Sequence, residues 1–599
     1  MGTDQGEDLS TLLERRRALG DAGALRFGDQ RYSYAELAVL VEQRAAALAG
    51  AGVAARELVL CPTTPVLDSV LMQWALARLG VVMLPVRADL PASRRASLIR
   101  TTGAEWSWRP ADEDVGLADV GLADVRLASL IGAGADTAER VTRITDAERR
   151  AAGTLIRCGS AHWSPPAPAS EPAPAARPTL AARPALAAAH PNSSASLTTV
   201  VPGAATAPAL FVETSGSSAE PKIVMLSAAA IIASCLAVNA RLELKRGDRW
   251  LCVLPRQHVG GLAIGYRCAF AGAELIVQSR FEAEKVQVAL WDQRITHLSL
   301  VPAMLQRLLA VDPTPPPDLR VALLGGQGID SNLARRAVEQ GWPLYLGYGM
   351  TETFSQIAGG WIDAEGLPQR GMIPLDGVEL SCPSCGEANT KSRGVSLANI
   401  QPPEQPTRQP AQQTRSRASA KAQGNAQQAQ PLRIRGPMLM LGYANPTRTP
   451  GHGLDNGWLQ TSDLACRLPS GSLQVLGRAD DVVLIAGINV LPAEIERELA
   501  QLDQIAEIAV IGVPDPTWGH RLVALYVGKL EPAQLEAWCR NNLPSHQRPR
   551  SFARLERLPT LSAGKRDRRA LFAHAEALAP RAGLEARVDH AQMPEAERR

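Results

Sequence analysis

A few short segments carry most of the residues able to do chemistry. Residues 214–222, Thr-Ser-Gly-Ser-Ser-Ala-Glu-Pro-Lys, set the hydroxyls of Thr214, Ser215, Ser217 and Ser218 around Gly216 and end in Lys222. A loop of this kind after a strand can wrap backbone N–H groups and hydroxyls around phosphate oxygens, and Lys222 adds a point charge. It is not a Walker loop, because Gly-x-x-x-x-Gly-Lys-Ser/Thr is absent. Gly325-Gly326-Gln327 lets backbone approach a flat ligand such as adenine. In Tyr345-Leu-Gly-Tyr-Gly-Met-Thr-Glu-Thr, Tyr348 can stack on a purine beside Gly349 and Met350, Thr351 can bind an α-phosphate, and Glu352 can hold Mg²⁺. Asp463 offers a carboxylate to ribose hydroxyls. Gly-Arg-Ala-Asp-Asp at 477–481 and Ser-Ala-Gly-Lys at 562–565 complete the set, the second ending in Lys565. Taken singly, each segment fits a polar surface loop or a turn. In this order they describe a site that holds ATP, coordinates a metal and brings in a lysine from a separate lid, which is equipment for joining a carboxylic acid to AMP.

The elements that must position these loops are read from periodicity. Ala24–Phe27 and Arg31–Tyr34 suit a strand pair about the turn at Gly28-Asp29. A helix from Ala35 to Leu48 follows, with Ser33 and Glu36 spaced as a capping box. Leu58-Val-Leu reads as a buried strand, 66–79 as a helix, and Val81-Val-Met-Leu-Pro as the next strand. Short apolar runs recur at 210–212, 250–254, 274–277, 297–301 and 320–324, with a helix expected over 331–340. Alternating strands and helices argue a layered α/β fold with sheets covered on both faces. After Arg478 the pattern restarts on a smaller scale: Val482–Ile485, helix 492–501, Ile505–Val513, Leu522–Val527 and helix 533–541 form an α+β unit. The expected organisation is therefore a large multi-subdomain α/β unit at 1–476, a hinge at 477–481, a small mobile α+β lid at 482–580 and a tail at 581–599. Residues 159–208, rich in Pro and Ala, and 383–430, rich in Gln, Pro, Arg and Ser, have too few large apolar residues to offset ordering entropy and read as flexible insertions.

With these motifs in order, the chain resembles the adenylate-forming superfamily of acyl-CoA synthetases, peptide-synthetase adenylation domains and luciferases over roughly 20–575, outside the insertions. Within it, Leu254-Pro-Arg-Gln-His-Val-Gly-Gly, Thr296-His-Leu-Ser-Leu-Val-Pro-Ala-Met-Leu-Gln-Arg-Leu-Leu and Val513-Pro-Asp-Pro-Thr-Trp-Gly-His-Arg are similar to the o-succinylbenzoate–CoA ligases of menaquinone synthesis. The resemblance implies ATP, Mg²⁺ and CoA as cofactor and co-substrates and a small carboxylic acid as partner. It implies Thr214–Lys222 as the phosphate loop, and Gly325–Gln327 and Tyr348–Thr351 around adenine and the α-phosphate. Glu352 would lie on Mg²⁺, Asp463 and Arg478 on the ribose, Asp480 at the hinge, Gly487 near a pantetheine tunnel, Lys565 as the adenylation lysine, and His258 at the acyl-pocket wall. Three departures stand out. Ser218-Ala219 replaces the usual Thr-Gly, Ile485–Ile488 replaces the common Ser-Gly-Gly-Glu, and Arg256-Gln257 stands where an apolar-aromatic pair is common. Arg256 suggests an acid bearing a second polar group. Another aromatic or medium-chain acid, a carrier-protein acceptor and a non-catalytic nucleotide scaffold are the remaining readings at this point.

Composition bounds the classes. At 599 residues the chain exceeds one core, and a formal net charge of +3 gives no case for a nucleic-acid or membrane partner. The nine cysteines are scattered, and Cys382-Pro-Ser-Cys385 has no second ligand pair nearby to make a zinc site. The polar, acidic start does not read as a signal peptide and no window is apolar enough for a membrane span, so the expectation is a cytoplasmic protein.

Overall fold

The computed structural model describes residues 8–64, 66–109, 123–126, 154–157, 207–214, 221–326, 328–366, 368, 371–384, 430–445, 448–485, 488–515, 517–560 and 566–578. The expected insertions, apart from their edges, and the expected tail lie outside these residues.

Two large sheets form the body. The first has nine strands, with a parallel centre built from Leu344–Met350, Val321–Leu324, His297–Leu300, Arg249–Cys252, Glu274–Val277 and Gly23–Phe27 as successive neighbours. Antiparallel strands close both edges: Gln30–Ser33 at one, and Ser355–Trp361 with Ile373–Pro374 at the other. The second, eight-stranded sheet contains Leu58–Pro62, Val82–Val86, Pro208–Glu213 and Ile223–Ser227. Parallel strands buried on both faces need continuous apolar sequence, and Leu58–Pro62, Val82–Val86 and Glu274–Val277 are buried at every position.

Helices Ala228–Leu242 and Val259–Ala271 share one apolar core with residues of both sheets. Val259–Ala271 is apolar nearly all round, so it is a buried rather than an amphipathic helix. The expected helix after the first hairpin runs Tyr34–Gly50. Ser33 caps it: its hydroxyl accepts from Glu36 N–H while the Glu36 carboxylate accepts from Ser33 N–H at 2.8 Å.

A third, antiparallel sheet joins Glu379–Ser381, Gln430–Arg435, Leu459–Arg467 and Leu473–Arg478. The periodicity of the sequence does not announce this sheet. The residues after 478 form a five-stranded sheet with helices Pro492–Leu499, Pro532–Asn542 and Arg568–Leu578, and with core clusters of their own around Ile508, Leu522 and Tyr526 and around Val513, Val523 and Leu571. This unit touches the larger one through helix Ser331–Glu339. Asn332 donates to the carbonyl of Ala500, and Arg335 pairs with Asp503 at 2.9 Å. No helix among the described residues is long and apolar enough to cross a membrane.

Candidate active site

The site is built at the carboxyl end of the parallel strands, where loops leave an α/β sheet and ligands bind. Strand Val321–Leu324 runs into Gly325-Gly326, with Gly325 N–H bonded to the Leu300 carbonyl at 3.2 Å and Gly326 at φ +83°. The neighbouring strand Leu344–Met350 carries Tyr348, Gly349 and Met350 and turns through the 3₁₀ segment Thr351–Thr353. Gly349 is sterically required, because a Cβ there would fall 1.7 Å from the Ser355 carbonyl oxygen. The sharp reversal puts Phe354 and Ser355 at positive φ and is held by Thr353, whose buried hydroxyl lies 3.2 Å from the Met350 carbonyl and 2.9 Å from that of Ser355.

Two side-chain chains extend from this turn. In one, the Tyr348 hydroxyl donates to Asp463 Oδ2 at 2.6 Å, Asp463 Oδ1 faces Arg478 Nη1 at 3.6 Å, and Arg478 Nη2 donates to Asp480 at 2.7 Å. Asp463 and Arg478 are register partners on adjacent strands of the third sheet, which brings them together in space despite their separation along the chain. Burial and then the Asp463 carboxylate push the Tyr348 phenol far above its ordinary range, so it remains a donor. The hydrogen bond from Arg478 holds Asp480 below its ordinary value.

In the other, Tyr443 donates to Glu352 Oε1 at 2.8 Å, and Lys222 Nζ lies 4.7 Å above the Tyr443 ring. Met440 N–H donates to the Glu352 carbonyl at 2.8 Å, fixing the acid's backbone as well. Thr214 N–H bonds the Lys222 carbonyl at 2.8 Å, so the two stems of the 214–222 loop are held together. Mg²⁺ commonly takes one or two carboxylates plus substrate phosphates and water. A single carboxylate beside a phosphate loop fits that habit, and among the described residues no cluster of three or more His, Cys, Asp or Glu offers a protein-only cage.

The structure thus joins Thr214, Lys222 and Glu352 in one set and Tyr348, Asp463, Arg478 and Asp480 in another. Ser215, Gly216, Ser217, Ser218, Gln327, Gly487 and Lys565 lie outside the described residues. His258 sits half-buried at the start of helix Val259–Ala271, with its carbonyl accepting from Gly261 and Leu262.

Arg256 is 5% exposed. Its Nη2 donates to Gln73 Oε1 at 2.6 Å, and its Nη1 has no hydrogen-bond partner among the described residues. Sequence reasoning missed two residues. Tyr443, on the short strand Gly442–Tyr443, links Lys222 to Glu352; the signal was a tyrosine in a chain with only seven. Arg267 is 1% exposed over the Trp250 ring, with Nε and Nη2 unpartnered among the described residues. The signal was an arginine inside the apolar run Val259–Ala271. Burial lowers both guanidinium groups from their ordinary range.

A family model described as AMP-binding enzyme matches residues 13–386, and one described as AMP-binding enzyme C-terminal domain matches residues 494–565. The chain belongs to the AMP-binding enzymes. It is an adenylate-forming ligase. A 2-succinylbenzoate–CoA ligase of Bacillus licheniformis is 30% identical over 364 residues, which is 60% of this chain and 68% of that relative. One of Staphylococcus aureus is 28% identical over 361 residues, 60% of this chain and 65% of that relative. The fold is similar to o-succinylbenzoate CoA synthetase (MenE) from Bacillus subtilis in complex with the acyl-adenylate intermediate OSB-AMP, with TM-score 0.65 and 22% identity over 94% of this chain and 97% of that one. It is also similar to the ATP-bound RpMatB-BxBclM chimera B3, with TM-score 0.66 and 20% identity over 95% and 99%.

Proposed function

We propose that this chain is an ATP-dependent acid–CoA ligase whose acid is o-succinylbenzoate, a dicarboxylate used in menaquinone synthesis. The observation that carries the reaction class is the pair of chains converging on one strand end: Tyr348–Asp463–Arg478 for the nucleoside and Lys222–Tyr443–Glu352 for the phosphates. The acid is supported by the named relatives; Arg256 and Arg267, two buried guanidinium groups with unpartnered nitrogens among the described residues, are the side chains we assign to its second carboxylate. Taking an ion out of water costs several kcal/mol unless an opposite charge meets it. A monocarboxylic acid spends its only charge at the reacting centre; a second carboxylate offsets that cost.

In the first half-reaction a substrate carboxylate oxygen attacks the α-phosphorus of ATP and pyrophosphate leaves, giving the acyl-adenylate. Phosphoryl and adenylyl transfers depend mainly on positioning and charge stabilisation. Asp463 accepts ribose hydroxyls, Gly325 and Gly326 border the adenine, and Thr351, the 214–222 loop and a protonated Lys565 contact the phosphates. Glu352 would hold Mg²⁺, which would supply neutralisation of phosphate charge. The residues after 481 then turn about Asp480, withdrawing Lys565 and presenting the Gly487 turn. In the second half-reaction the CoA sulfur attacks the acyl carbonyl, and the C–O bond to AMP breaks.

The test is product identification with MgATP, CoA and single acids. A CoA thioester formed preferentially from o-succinylbenzoate is expected. Preference for a monocarboxylic acid would overturn the acid, and acyl-adenylate without thioester would overturn CoA as acceptor.

A further inference from the structure

Lys565 belongs to a segment whose two ends are pinned. Thr560 and Arg566 form an antiparallel bridge, and Asp567 N–H bonds the Pro559 carbonyl at 2.9 Å. Asp567 also accepts from the N–H groups of Arg569 and Ala570 at 3.1 Å and so caps the helix Arg568–Leu578. Arg566, the residue directly after Lys565, reaches Glu496 on helix Pro492–Leu499 with Nη1 3.3 Å from Oε2. Glu496 is itself fixed, its Oε1 accepting from Val510 N–H at 2.8 Å. The Arg566 charge also opposes the upward pKa shift that burial gives Asp330, which caps helix Ser331–Glu339 of the larger unit, and Glu507. Asp481 pairs with Arg568, and both charges act on Glu496. Asp481 with Arg568 and Glu496 with Arg566 therefore form two ion pairs at the stem of the lysine segment, one of them beginning in the expected hinge.

We infer that Glu496 is a positioning residue for adenylation: through Arg566 it sets the register and direction of the segment that delivers Lys565. The inference rests on the proposed role of Lys565. Its physical basis is that a long, flexible lysine acts in a phosphate site only if its backbone is held to within a fraction of an ångström, and misplacement by about 1 Å can cost about a hundredfold in rate. A charged pair anchored at one end by a backbone N–H holds the stem, whereas a hydrated Arg566 would let it move.

The half-reactions separate a positioning role from a merely structural one. Glu496→Gln keeps the size and the bond to Val510 but removes the charge facing Arg566; Arg566→Met removes the other partner. Both should lower acid-dependent pyrophosphate release roughly tenfold to a hundredfold. Thioester formation from supplied acyl-adenylate should stay within about twofold. The exchanged pair Glu496→Arg with Arg566→Glu should recover part of the adenylation rate. Equal loss of both half-reactions in both single variants, or an unchanged adenylation rate, would overturn the inference. Lys565→Ala run alongside keeps the two ideas apart. If that variant does not split the half-reactions, the reading of Lys565 fails; if it does and Glu496→Gln does not, only the positioning role fails.

Discussion

Replacing Asp463 by Asn tests the nucleoside side of the site. Each carboxylate oxygen already has one protein neighbour, Tyr348 hydroxyl at 2.6 Å on Oδ2 and Arg478 Nη1 at 3.6 Å from Oδ1. An ionised carboxylate has about four acceptor sites, so each oxygen keeps room for a ribose hydroxyl. In the Asn variant the remaining oxygen is claimed by the Tyr348 donor. The NH₂ then turns toward Arg478, where it meets a cation and cannot accept from the sugar. The expected loss is one hydrogen bond to a charged group, about 1.5–3 kcal/mol, which converts to about 10- to 150-fold weaker AMP binding. Calorimetric titration with AMP, 2′-deoxy-AMP and 3′-deoxy-AMP reads this directly. The unsubstituted protein should lose affinity when the contacted hydroxyl is removed, and the variant should no longer discriminate. Binding of AMP within twofold of the unsubstituted protein, or undiminished discrimination against the deoxynucleotides, would refute the assignment of Asp463 to the ribose.

Lys565→Ala should cripple acyl-adenylate formation yet spare thioester formation from supplied adenylate, read by pyrophosphate release and by CoA-thioester yield; equal loss of both contradicts a lysine that acts in one half-reaction only. Arg267→Leu and Arg256→Leu should raise KM for a dicarboxylic acid far more than for its monocarboxylic analogue. Arg267→Leu should also leave the ligand-free protein equally or more stable in thermal melts, because a buried charge with two unpartnered nitrogens among the described residues gives way to apolar packing; a large fall in melting temperature with no change in KM would contradict a role toward the acid. His297 is fully buried, with Nε2 3.2 Å from the Leu242 carbonyl and Nδ1 2.9 Å from Thr296 Oγ1, and burial depresses its pKa to about 4. The unfolded chain, titrating near about 6.5, binds the proton more readily than the folded one. Stability from this group is therefore present above about pH 6.5 and lost as pH falls toward 4, at up to about 1.4 kcal/mol per pH unit. Urea midpoints should decline over that window and decline less in His297→Gln; identical slopes would contradict the assignment.

The strands and helices were legible wherever apolar periodicity was strong. The helix expected over 66–79 is Val66–Leu79, and the helix expected over 331–340 is Ser331–Glu339. Ser33 and Glu36 showed their cap because a capping box is local chemistry within four residues. The third sheet was not legible, because Glu379–Ser381 pairs with Gln430–Arg435 across a long polar stretch and sequence spacing carries no trace of that register. The candidate residues stand in motifs that can be read from the chain, but the neighbours they meet do not. Tyr348 meets Asp463 across 115 residues and Tyr443 meets Glu352 across 91, contacts set by sheet order rather than by neighbourhood in the chain. Arg267 escaped notice because its meaning lies in what surrounds it, a buried position over the Trp250 ring that chain position alone does not show.

The most direct test of the central claim is mass spectrometry of the products formed from MgATP, CoA and a panel of carboxylic acids that includes o-succinylbenzoate. The account predicts AMP, pyrophosphate and the o-succinylbenzoyl-CoA thioester, with monocarboxylic acids converted far more slowly. Equal or better conversion of monocarboxylic acids, an adenylate that never becomes a thioester, or no product from any acid would contradict it.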